Sequence, residues 1–238
     1  NKILTQLVKR DNSNKIMTLW SHYIEKNYLE NYLEKYGSLK ESNQYKIFNV
    51  LSSNHNYHLN ESIIEKYIDK PWCYKTLSRS PNIHWKFFKK HNQHPWSFKD
   101  ILSHCQMDKE DQHEALQQII TSHITTNEEK EQFIYYLVSN QHIQWEIIQT
   151  ILSLNNITIN LEHLFIIISN KSAITLDIIE NNIDYPWNYK RMSNHPNITS
   201  AFVYKYLDKD WDFNKLFFNI EMDYEFLGAM FKKLAIDG

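Results

Sequence analysis

One phrase recurs along this 238-residue chain at a fixed spacing. An aliphatic residue is followed by two apolar residues four and five positions on, and by Trp thirteen positions on. After the Trp come an aromatic two places later and Leu, Ile or Met five places later. The clearest copies start at Leu59, Ile83, Ile174 and Ile198 and place Trp72, Trp96, Trp187 and Trp211 alike. In both adjacent pairs the starts lie 24 residues apart. A period of that length marks supersecondary units that cannot bury their apolar faces alone and must stack on neighbours. The expected fold class is all-α: an α-solenoid of roughly seven short helical hairpins.

The unit can be read residue by residue. The start residue precedes Asn60, Thr175 or Thr199, each able to cap a helix, with His84 and Gln144 as departures. Start and second apolar residue are five apart, as in Leu59 and Ile64, which is the spacing of a hydrophobic staple. A first helix of about nine or ten residues should then break before Pro71-Trp72, Pro95-Trp96 or Pro186-Trp187, because proline has no amide proton and disfavours a helical predecessor. Ser97, Asn188 and Asp212 follow the Trp as caps of a second helix of about seven or eight residues, with Cys73 the exception. Segments 78–82 and 193–197, ending in Asn82 and Asn197, return the chain to the next copy. The repeat positions are thus Pro71, Trp72, Asn82, Pro95, Trp96, Pro186, Trp187, Asn197 and Trp211. Their regular place makes packing between hairpins a better explanation of the Trp residues than ligand stacking.

Residues 13–36 carry a different pattern. Ile16, Trp20, Ile24, Tyr28, Tyr32 and Tyr36 recur every four residues, from a capping Ser13 to Gly37. This predicts a long N-terminal capping helix, so that 1–55 forms a helical cap and 56–238 a repeat array, together one continuous domain. The array degenerates over 104–173. There Thr126 with Glu129 predicts a helix to about Val138, and counting back from Ile174 puts His163 at the Trp position. Ile143 and Ile174 are 31 residues apart, one unit plus seven inserted residues between Leu152 and Ile159. Such an insertion is expected to be dispensable for folding and to add a surface. Met222 is the last start.

Composition narrows the chemistry. A net charge of −2 gives no reason to expect nucleic acid, and Lys86, Lys89 and Lys90, the one dense basic cluster, is not repeated in other copies. Gly37, Gly228 and Gly238 are the only glycines, so no Gly-rich phosphate loop exists. His91, His94, His104, Cys105 and His113 lie close in sequence, but His91 and His94 straddle the break at Pro95 and do not share a helix face, which argues against zinc. Glu128, Glu129 and Glu131 fall in the first turn of a helix, where carboxylates favour the dipole. Cys73 and Cys105 have no metal or redox spacing and read as free thiols. Asn60, Asn156, Asn170 and Asn197 begin Asn-x-Ser/Thr triplets that turn usage explains better than glycosylation. No catalytic residue, metal site, cofactor or small-molecule ligand is expected, and a site in 104–173 would need a convergent polar pocket. No apolar run reaches membrane-spanning length and no signal segment leads the chain, so a soluble, non-secreted protein is expected. The chain opens on Asn1, as a piece of a longer protein would.

The stretches Ile-Asp-Lys-Pro-Trp with Leu-Ser and Ser-Pro-Asn-Ile over 68–83, and Asp-Tyr-Pro-Trp with Met-Ser-Asn-His-Pro-Asn-Ile-Thr over 184–199, resemble a known repeat. It is the Pro-Trp/Asn-Pro-Asn-Ile repeat of proteins from amoeba-infecting giant DNA viruses of the mimivirus-like group. The heavy use of Asn, Ile, Lys and Tyr, typical of an A+T-rich genome, agrees with it. The resemblance covers most of 59–103 and 174–219, and Cys73, Asp210 and His163 depart from the pattern. It implies a non-enzymatic protein-interaction scaffold binding host or viral proteins, or alternatively a virion component such as a minor capsid or internal packaging protein. The implied location is host cytoplasm or virion.

Overall fold

The computed structural model describes residues 33–34, 41–53, 59–121, 126–221 and 224–237. All regular structure among them is helical, apart from an isolated bridge between His84 and Gln106. The long helix expected over 13–36 lies outside the described residues except at Leu33 and Glu34, which are helical, and Met222 lies outside them too. The chain forms two compact units, Asn1–Asp111 and Gln112–Gly238.

In the first unit, α1 (Glu41–Ser52) precedes α2 (Glu61–Lys66), α3 (Tyr74–Leu77), α4 (Trp85–Lys90) and α5 (Phe98–His104). The division between units falls within α6 (Lys109–Thr121). The second unit continues with α7 (Asn127–Val138), α8 (Trp145–Leu152), α9 (Leu161–Ile168), α10 (Leu176–Asn181), α11 (Tyr189–Met192), α12 (Ser200–Lys205), α13 (Phe213–Asn219) and α14 (Tyr224–Asp237). Within the units α1 packs on α3, α7 on α9 and α12 on α14.

Each clear copy of the phrase folds into a first helix, a tight turn and a second helix. Asn60, Thr175 and Thr199 accept the amides of Ile63, Ile178 and Phe202 at 3.2–3.3 Å, whereas His84 and Gln144 make no side-chain cap. The first helices α2, α4, α10 and α12 are six residues long, shorter than their spacing predicts. They stop at Tyr67, His91, Asn182 and Tyr206. In three of these copies the amide that would continue the helix onto that carbonyl belongs to Pro71, Pro95 or Pro186 and does not exist.

The second helices come in two lengths. α3 and α11 have four residues while α5 and α13 have seven. The short pair is followed by Pro81 and Pro196, which push Ser80 and His195 out of the helical region, and no proline follows the long pair. Start residues Leu59, Ile83, Ile143, Ile174 and Ile198 are buried, as are Leu77, Ile101, Met192 and Leu216 five places after each Trp.

The irregular middle corrects two expectations. His163 does not follow a chain break: it lies inside α9, which Asn160 caps at the His163 amide (3.0 Å). The insertion is also more than a surface loop, because its Ile157 is only 4% exposed and packs into the core. Replacing Ile157 by Ala should cost about 2–4 kcal/mol in chemical denaturation, whereas Asn155→Ala, at an exposed site, should change stability by less than about 0.5 kcal/mol.

Candidate interaction surfaces

The four Trp side chains share one geometry. The indole Nε1 of Trp72, Trp96, Trp187 and Trp211 donates to the carbonyl of Tyr67, His91, Asn182 and Tyr206 at 2.7–2.8 Å. The same carbonyls accept the amides of Lys70, His94, Tyr185 and Lys209 at 3.0–3.2 Å. Next to them, the Trp amides close two-residue hydrogen bonds onto Lys70, His94, Tyr185 and Lys209 at 2.7–2.9 Å. These are inverse γ-turns, whose central φ is the value proline imposes, and Pro71, Pro95 and Pro186 occupy that centre. Asp210 holds the fourth centre in the same turn, so the missing proline leaves the geometry intact.

Each Trp ring then stands edge-on to an aromatic of the preceding copy. The pairs are Trp72 on Phe48 (4.7 Å, 85°), Trp96 on Tyr74 (4.9 Å, 72°), Trp187 on Phe165 (4.8 Å, 88°) and Trp211 on Tyr189 (5.1 Å, 78°). T-shaped pairs of this kind contribute about 0.5–1.5 kcal/mol beyond area burial. Burial pushes the Tyr74 and Tyr189 phenols up to about 12.

Serine makes the second link between copies, a role the sequence reading missed. The amides of Cys73, Ser97, Asn188 and Asp212, each directly after the Trp, donate to Oγ of Ser52, Ser78, Ser169 and Ser193 at 2.9–3.0 Å. These buried hydroxyls donate in turn to carbonyls four residues back: Phe48, Tyr74, Phe165 and Tyr189. Ser97 therefore receives its own amide's partner from Ser78 but makes no side-chain cap, unlike Asn188 and Asp212. The signal was present as a Ser following a Leu, Ile or Met in four places, at Leu51-Ser52, Leu77-Ser78, Ile168-Ser169 and Met192-Ser193.

Asn82 and Asn197 do not do the same work. Asn82 Nδ2 donates to the Leu59 carbonyl (3.2 Å), the start of the preceding copy. In the later copy this link comes from buried His195, whose Nε2 reaches the carbonyls of Ile174 (2.8 Å) and Lys171 (3.1 Å) while Nδ1 accepts the Asn197 amide (3.1 Å). The sequence reading also passed over Trp85 and Trp145, which are buried in only two copies, with Trp145 stacked on Trp187 (6.0 Å, 27°).

Several of the candidate chemical groups take structural contacts. Among the described residues no three His, Cys, Asp or Glu side chains come together to hold a metal ion. His94 stacks on Tyr74 (4.1 Å, 6°), His104 Nδ1 lies 2.9 Å from the Asp100 carbonyl, and burial raises the thiol pKa of Cys105. Cys73 and Cys105 are free. Lys86 pairs with Asp108 (3.0 Å) and Lys90 with Glu65, which removes much of the local positive charge. Glu131 is more than a solvated first-turn carboxylate: it accepts the Asn160 amide (2.9 Å) and the Tyr135 hydroxyl, holding the start of α9.

The outstanding surface feature is aromatic. Tyr204, Phe217, Phe218, Tyr224 and Phe231 are all 49–95% exposed, within one stretch of the second unit. Beside them a pocket of about 290 Å³ is lined by Ser200, Ala201, Tyr204, Glu225 and Phe226. No described helix is long and apolar enough to cross a membrane. No protein-family model, no curated protein and no solved structure matches the chain.

Trp187→Ala should cost about 3–5 kcal/mol in chemical denaturation, and Trp187→Phe less. Ser193→Ala should cost about 1–3 kcal/mol, because the Asp212 amide loses its acceptor. A pH effect follows from His94, whose pKa burial and the neighbouring His91 hold below its ordinary 6.5. The neutral ring is the form that fits the fold, so its contribution is complete above pH 6.5 and is lost as pH falls through the lowered value. Thermal midpoints of the wild type should fall between about pH 7.5 and 5.5, and His94→Phe should flatten that part of the profile.

Proposed function

We propose that this chain is a non-enzymatic protein-interaction scaffold of a large DNA virus, built as an α-solenoid of hairpins with a period of 24 residues. One observation carries this reading. The same amide–serine bond and the same edge-on Trp contact to the preceding copy recur in four copies, each Trp being fixed by an indole bond within its own copy, so the distinctive residues of the phrase hold copies together. Outward side chains that lie outside the phrase and take no part in these links select a protein partner in this reading. The viral assignment rests on the Pro-Trp/Asn-Pro-Asn-Ile resemblance. Partners are host or viral proteins in this reading.

A second reading, a virion component in fixed contact with coat proteins, is favoured by the exposed Phe217, Phe218, Tyr224 and Phe231. Affinity purification of the tagged chain from infected cells and from purified particles, with quantitative mass spectrometry, separates the two. The scaffold reading expects host or viral proteins enriched from cells at partial occupancy. Recovery only from particles, in fixed ratio to coat proteins, would replace it with the virion reading.

A further inference from the structure

The last helix presents an apolar stripe that no other described part of the chain covers. One side of α14 packs on α12, where Phe226 is 2% exposed. At about 100° per residue, Tyr224, Gly228 and Phe231 fall within about 60° of arc on the opposite side. Tyr224 is 95% and Phe231 62% exposed, and Leu227 flanks them half-buried. Gly228 sits mid-helix, where glycine weakens a helix relative to alanine. Nothing within the described chain requires it, since a Cβ built there meets no atom within 4 Å. A glycine at the centre of an outward aromatic stripe leaves room for another backbone.

We infer that α14 is a self-association seam, on which a second copy of this chain docks antiparallel about a two-fold axis at Gly228. The stripe is self-complementary about that point. Tyr224 lies four residues before Gly228 and Phe231 three after it, so the two-fold sets each Tyr224 against the other copy's Phe231. The charges agree. Glu225 and Lys232, both exposed, lie on the same flank of the stripe, three residues before and four after the glycine. Antiparallel pairing brings each Glu225 to the other copy's Lys232, whereas parallel pairing in register leaves them on opposite flanks of the seam, out of each other's reach. At about 200 Å² per aromatic side chain the stripe offers roughly 300 Å² per copy, well under the ~800 Å² of a standard interface. The dimer is therefore weak and needs high protein concentration.

Sedimentation equilibrium of the whole 238-residue chain up to about 500 µM tests this, with circular dichroism as a check on folding. The wild type is expected to dimerise reversibly. Gly228→Leu should abolish the dimer while the thermal midpoint holds or rises, because the added side chain meets nothing within the chain. Glu225→Lys and Lys232→Glu should each raise the dimer Kd at least about tenfold, and the double exchange should restore it to within about threefold. A chain that stays monomeric throughout overturns the inference, as does a dimer indifferent to Gly228→Leu. Loss in both single exchanges without rescue overturns the antiparallel register. Loss on Phe217→Ser with α14 variants unaffected moves the seam to α13 and overturns it as well.

Discussion

A helix that runs into proline leaves a carbonyl without its usual donor four residues on, and the distinctive features of this structure follow from how that carbonyl is used. Tyr67, His91 and Asn182 each stand four residues before a proline, which has no amide to give them. The Trp one place beyond the proline folds back and supplies its indole N–H instead. The γ-turn centred on the proline sets the direction of that return. The turn amide three residues on already reaches that carbonyl, and the indole fills its second acceptor position, so one residue ends the helix and the next anchors the ending. Trp211 shows that the turn, more than the proline itself, is what matters, since Asp210 supports the same bond.

The same event positions the contact between neighbours. With its N–H tied to its own copy, each indole presents an edge to an aromatic of the copy before it, at 4.7–5.1 Å. The amide directly after the Trp points into the preceding copy as well, where a buried serine receives it. Surface ion pairs between first helices, such as Lys205 with Glu180 (3.0 Å), add little beside these buried links. Rigid docking of one hairpin on the next is what an interaction scaffold of the proposed kind would need, because partner-selecting residues must keep their spacing.

Against that background the region 204–231 is the exception. Phe217 occupies the place that Ser78, Ser169 and Ser193 hold in other copies, and it is 61% exposed where they are buried. α14 runs for 14 residues without a proline break, and no Trp returns from it onto α13. The aromatic surface of this region is accordingly directed outward.

Local features were legible from one-dimensional spacing because each has a local cause. The caps at Asn60, Thr175 and Thr199, the breaks at Pro71, Pro95 and Pro186, and the capped start of α7 at Thr126 depend on residues within a turn of one another. Helix lengths were less legible, since the first helices end four residues before the proline, at the carbonyl that the indole five residues on claims, and not next to the proline itself. The sequence by itself determined the all-helical class and the recurrence of Trp at one place in each copy. Tertiary structure alone decided that Ser52, Ser78, Ser169 and Ser193 bind across copies, that His195 does at one joint what Asn82 does at another, and that Ile157 of the insertion is core. Those choices join residues about twenty positions apart, where a hydrogen bond is set by how two hairpins dock and not by the residue types that precede or follow it.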